Sequence, residues 1–76
     1  MKEFVEYLIK QVVSQPDRVV VHEFKSEATT ILEVKVDRSD MGRIIGKDGR
    51  VIEAIRMLAR AVYKKNHQHV QVELVE

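Results

Sequence analysis

From Asp40 to Lys65 nearly every residue is compatible with a helix, and only Gly42, Gly46 and Gly49 lack a side chain. The last two lie in the stretch RIIGKDGRVI, residues 43–52, three apart and flanked by isoleucines and bases. Glycine costs about 1 kcal/mol relative to alanine inside a helix, so a close pair reads as a corner rather than a helix interior. The pattern predicts a short helix from roughly Asp40 to Ile45, stopped at Gly46. A longer helix follows, beginning at Gly49 and reaching about Lys65. Asp37 or Ser39 is placed to cap the first helix and Asp48 the second, since short polar side chains accept from first-turn amides. On a helical wheel Val51, Ile52, Ile55, Leu58, Ala59 and Val62 form a broad apolar face.

The flanking segments have other periods. Phe4, Leu8 and Val12 recur every fourth residue, as do Val5, Ile9 and Val13, which predicts an amphipathic helix. Pro16 disfavours helical geometry at Gln15 and stops it. RVVVHEF, rich in β-branched residues, and TTILEVKVD, which alternates, read as strands. The short polar link KSEA joins them as an antiparallel hairpin. Leu32, Val34 and Val36 point one way and Glu33 and Lys35 the other. The end, HVQVELVE, alternates again through Val70, Val72 and Leu74. The predicted order is α-β-β-α-α-β in one domain over residues 1–76. Three strands cannot bury both faces, so an α+β fold with helices on one face of the sheet, over Leu32 and Val70, is expected.

Composition narrows the possible functions. Seventy-six residues leave little room for an enzyme cleft. The chain has no cysteine, which removes disulfides and thiolate metal sites. Glu3, Glu6 and Lys10 interrupt the N-terminal segment, and no run approaches a membrane span; a cytoplasmic protein is expected. No serine has a credible base arrangement and the carboxylates do not cluster, so no catalysis, cofactor or small-molecule substrate is expected. His67 and His69 lack a third ligand and read as exposed residues rather than metal donors. Net charge is +1, yet Arg38 to Lys65 holds eight bases and three acids. That imbalance concentrates positive potential around the glycine corner.

The motif IIGKDGRVI and the element order resemble the KH domain, a nucleic-acid-binding module, in its type II arrangement. The chain as a whole is similar to small bacterial single-KH proteins of the KhpA type. The SQPD break after the first helix and the run from Ser39 to Gly46 belong to the same resemblance. It implies single-stranded RNA as ligand, with about four nucleotides over the loop. The implied contacts are Arg43, Ile44, Ile45, Gly46, Lys47, Asp48, Gly49, Arg50 and Ile52. Glycines let the main chain approach phosphates, and the start of the long helix attracts anions. Lys47 and Arg50 add charge, and Asp48 opposes phosphate. Ile44, Ile45 and Ile52 would floor an apolar groove for the bases, walled by Leu32, Val34 and Val36 of the second strand.

A second strip on the long helix holds Ala54, Met57, Leu58 and Ala61. It reads either as part of a wide buried face or as a contact between two copies, because small side chains let helices approach closely. The resemblance implies a homodimer and a heterodimer with a larger partner of the Jag/KhpB type, and roles as an RNA chaperone or regulator linked to cell shape. Arg56, Arg60 and Lys64 at helical spacing read as a solvated, partly paired face, or as accessory phosphate contacts. A protein-interaction subunit that dimerises with a larger partner is the alternative function, and single-stranded DNA the alternative ligand.

Overall fold

The computed structural model describes residues 1–75; the expected end of the last strand at Glu76 lies outside them. Helix α1 spans Lys2–Val12, strand β1 Val20–Lys25, strand β2 Thr29–Lys35, helix α2 Met41–Ile45, helix α3 Arg50–Lys65 and strand β3 His69–Val75. Single 3₁₀ turns at Pro16–Arg18 and Arg38–Asp40 lead into β1 and α2, and a turn over Lys47–Gly49 with left-handed residues joins α2 to α3.

The predicted hairpin forms: β1 and β2 pair antiparallel, with Val21 opposite Val34 and Phe24 opposite Ile31. Strand β3 adds parallel to the other side of β2, with Leu32 opposite Val72. The sheet is therefore mixed, in the order β1-β2-β3, with β2 in the centre. A parallel neighbour requires a crossover, and α2 and α3 supply it.

One face of the sheet carries the core. Val21, Leu32, Val34, Val70 and Val72 are buried against Val5 and Ile9 of α1, Ile44 of α2, and Ile52, Ile55, Ala59 and Tyr63 of α3. The helices cover the Leu32 and Val70 faces as the alternation required. The opposite face is open, with Val20, His22, Phe24, Lys35, Gln71 and Glu73 exposed. Leu58, expected on the apolar face of α3, is instead 48% exposed, and its place in the core is taken by Tyr63, which is fully buried. The helical repeat puts residues 52, 55, 59 and 63 on one line and turns 58 away from it.

A buried carboxylate ties two parts of the helical layer together. Asp40 is fully buried. It accepts from the Ser14 amide at 3.0 Å, the Ser14 hydroxyl at 2.8 Å, the Gln15 amide at 3.1 Å and Arg43 at 3.1 Å. The segment just after α1 is thereby fastened to the start of α2. Asp37 caps the intervening turn through the Ser39 amide.

Candidate nucleic-acid interface

The corner between α2 and α3 is built by backbone geometry. Gly46 ends α2 with φ 75°, ψ 177°, and Gly49 precedes α3 in the left-handed region at φ 73°, ψ 15°. The Gly46 amide closes α2 onto Gly42 O at 2.9 Å, and the Gly49 amide reaches Gly46 O at 3.2 Å. The two glycines are needed for different reasons. A Cβ on Gly46 would lie 2.4 Å from Val51 Cγ2 and 2.9 Å from the Val51 amide nitrogen, whereas one on Gly49 would meet nothing within 4 Å. Gly46 lets α3 fold back onto α2; Gly49 leaves bare main chain facing solvent.

Asp48 also adopts a left-handed conformation, φ 58°, ψ 27°. It does not cap α3, contrary to expectation. Gly49 is the N-cap, no side chain among the described residues accepts from the helix's first-turn amides, and Glu53 is the acid of that turn. Asp48 lies in the turn with its side chain exposed, because the left-handed step points it away from the helix start. The 16-residue α3 thus presents an N-terminus whose positive end is not neutralised by a side-chain cap. Lys47 and Arg50 flank it, both exposed and neither with an ion-pair partner among the described residues. Arg43 is committed differently, since its guanidinium holds Asp40 at 3.1 Å.

The apolar residues divide. Ile45 is 41% exposed beside the corner, while Ile44 and Ile52 are 0% and 6% exposed. The latter two support the corner from beneath and offer no open floor. Leu32, Val34 and Val36, expected as a groove wall, are all buried: Leu32 and Val34 because β2 is the central strand under the helices, and Val36 in the turn just past it. The accessible wall is β3. Between α3 and β3 runs a cleft of about 250 Å³ lined by Glu53, Arg56, Arg60 and residues 70–73. It adjoins a second cavity of about 310 Å³ lined by Arg60, Lys64, Gln68, His69 and Val70. Arg56 Nε donates to the Val72 carbonyl at 3.1 Å, bridging helix and strand. The bases at helical spacing were visible in the sequence. The strand facing them was not, because alternation gives a strand's faces but not its neighbours.

Ala54, Met57, Leu58 and Ala61 occupy one exposed strip on the outer side of α3, with Met57 62% exposed. His67 and His69 are exposed, and among the described residues no group of three or more potential metal ligands exists. No helix among them is long and apolar enough to cross a membrane.

An α-β-β-α-α-β chain whose glycine corner links two helices over a three-stranded mixed sheet is a KH domain of type II. The same fold occurs in a solved structure of Era in complex with MgGDPNP and nucleotides 1506–1542 of 16S ribosomal RNA, with TM-score 0.68 and 23% identity. Aquifex aeolicus Era bound to GDP.AlF4- superposes with TM-score 0.67 and 24% identity. Each match takes in 95% of this chain but only 28% of the Era chain. The family model described as KhpA/KhpB, KH domain matches residues 2–74, and this chain belongs to that family. RNA-binding protein KhpA of Chlamydia pneumoniae is 43% identical over 76 residues, covering 100% of this chain and 97% of the relative. RNA-binding protein KhpA of Clostridium perfringens is 44% identical over 75 residues, covering 99% and 100%.

Proposed function

We propose that the protein binds single-stranded RNA by its backbone at the GKDG corner. The observation that carries this reading is the corner itself: uncrowded main chain at Gly49, a helix N-terminus without a side-chain cap, and two uncommitted cations at Lys47 and Arg50. Such a surface attracts phosphate without reading bases. Family membership and relatives named RNA-binding proteins support the same ligand. Gly46, Lys47, Gly49 and Arg50 form the phosphate grip, the Asp48 carboxylate opposes it, and Arg43 lies beside it paired with Asp40. Ile45 is the exposed apolar contact, and Ile44 and Ile52 hold the corner's shape. A sequence-tolerant grip of this kind suits a cytoplasmic RNA chaperone or regulator.

The exposed strip Ala54, Met57, Leu58 and Ala61 supports self-association, and by the same face a heterodimer with a larger Jag/KhpB-type KH protein. Pairing two weak sites raises effective concentration on one RNA. A second reading takes this strip as the chief functional surface, with RNA contact incidental, and it rests on the exposure of Met57 and Leu58.

Titration with oligouridylate at low ionic strength tests the first reading. The amide resonances of residues 46–51 shift, and Lys47→Asp abolishes the shifts and the binding. Unmoved resonances at that corner overturn the RNA assignment. Cellular function that survives Lys47→Asp but not Leu58→Glu favours the second reading.

A further inference from the structure

We propose that Glu53 is a built-in competitor for the RNA backbone. It holds Arg56 and Arg60 at the mouth of the α3–β3 cleft, and an RNA strand running on from the GKDG corner must take those guanidiniums from it. The proposal rests on the RNA reading of that corner.

Both oxygens of the Glu53 carboxylate are engaged. Oε1 accepts from Arg60 Nη2 at 3.3 Å and Oε2 from Arg56 Nη1 at 3.5 Å. A carboxylate and a phosphodiester offer a guanidinium the same pair of acceptor oxygens, so one substitutes for the other. Both arginines line the cleft, and Arg60 also lines the adjoining cavity with Lys64 and His69. Past Glu53, the helical side of the cleft is cationic, with Glu73 on the strand side, and Glu53 is the carboxylate paired with its first two charges.

The pair is easily exchanged. Its side chains are half-exposed, 52% for Glu53 and 55% for Arg60, with distances at the long end of the hydrogen-bond range. Exposed pairs of this kind contribute little to stability and yield to a multivalent anion. Arg56 keeps a second anchor on the Val72 carbonyl, whereas Glu53 is the partner of Arg60 among the described residues. Arg60 is thus the side chain freest to change allegiance.

Strand length sets who reaches it. About four nucleotides cover a GxxG loop. Arg60 stands ten residues beyond Arg50, roughly 15 Å further along the helix axis. A dodecamer held at the corner spans that distance with nucleotides to spare.

The test compares tetra- and dodecauridylate binding by the parent, Glu53→Gln, Arg60→Gln and the double variant over a range of salt. Glutamine keeps helix propensity and removes only the charge. Glu53→Gln is expected to raise dodecamer affinity about three- to ten-fold. It should also steepen the salt dependence by roughly 0.7 per guanidinium released. The dodecamer gain disappears when Arg60 is also glutamine. No gain in Glu53→Gln, or an equal gain with Arg60 replaced, overturns the proposal, the latter because Glu53 would then act only through its field. Lys47→Asp is measured alongside. If it binds both oligomers like the parent, the corner itself is not the RNA site, a failure distinct from that of the Glu53 exchange.

Discussion

At the scale of single residues, the two glycines of the corner are chemically alike and physically different. Gly46 combines a positive φ with a neighbour that a methyl group would strike at 2.4 Å, and Gly49 has only the positive φ. Gly46→Ala should therefore lower unfolding free energy by roughly 2–4 kcal/mol, conformational strain and overpacking together. Gly49→Ala should cost about 1–2 kcal/mol from strain alone. Urea unfolding midpoints check the difference. The sequence showed that this corner needs glycine but not which glycine serves packing, since Val51 approaches Gly46 only once α3 has folded back. Asp48 taught a related lesson. Its spacing suited a helix cap, yet its left-handed backbone turned the carboxylate outward.

At the scale of elements, the site depends on how α2 is fixed to α1. The Asp40 carboxyl is held below the ordinary carboxylate range, chiefly by the Ser14 amide. The Ser14 hydroxyl, the Gln15 amide and Arg43 add to this, against the opposing effect of burial. A depressed folded value means its stabilisation is fully present above the ordinary carboxylate range and is lost as pH falls through the folded value. Asp40→Asn should then be clearly less stable than the parent at neutral pH, with the gap closing in acid. Denaturant midpoints followed from neutral pH downwards check this, and a gap that stays constant contradicts it. The shared loss from Glu3 and Asp37, also depressed, cancels in the comparison. Local periodicity revealed the helices and strands themselves: TTILEVK shows its buried face in its own alternation. The Asp40 clamp was not legible, because its partners stand 25 and 26 residues away. The burial of Tyr63 is written in its helical spacing from Ile52, Ile55 and Ala59.

At the scale of the whole molecule, α3 carries two outward surfaces: the corner and cleft, which we propose meet a polyanion, and the Ala54–Ala61 strip, which we propose meets another chain. Burying Met57 and Leu58 against a second copy is the most direct way to remove that exposed apolar area. Leu58→Glu should weaken self-association about tenfold or more, read by sedimentation equilibrium, while circular dichroism stays unchanged because the residue lies outside the core. An unchanged association constant contradicts the assignment. Which surface faces which strand is set by the parallel β2–β3 pairing, a contact across some forty residues of chain that no local pattern encodes.

Arg56 reaches from α3 to the main chain of β3, an outermost strand with β2 as its single sheet neighbour. Bare strand margins invite further molecules to add on, rung by rung, towards fibrils. A cationic side chain lying along this margin makes such stacking unfavourable.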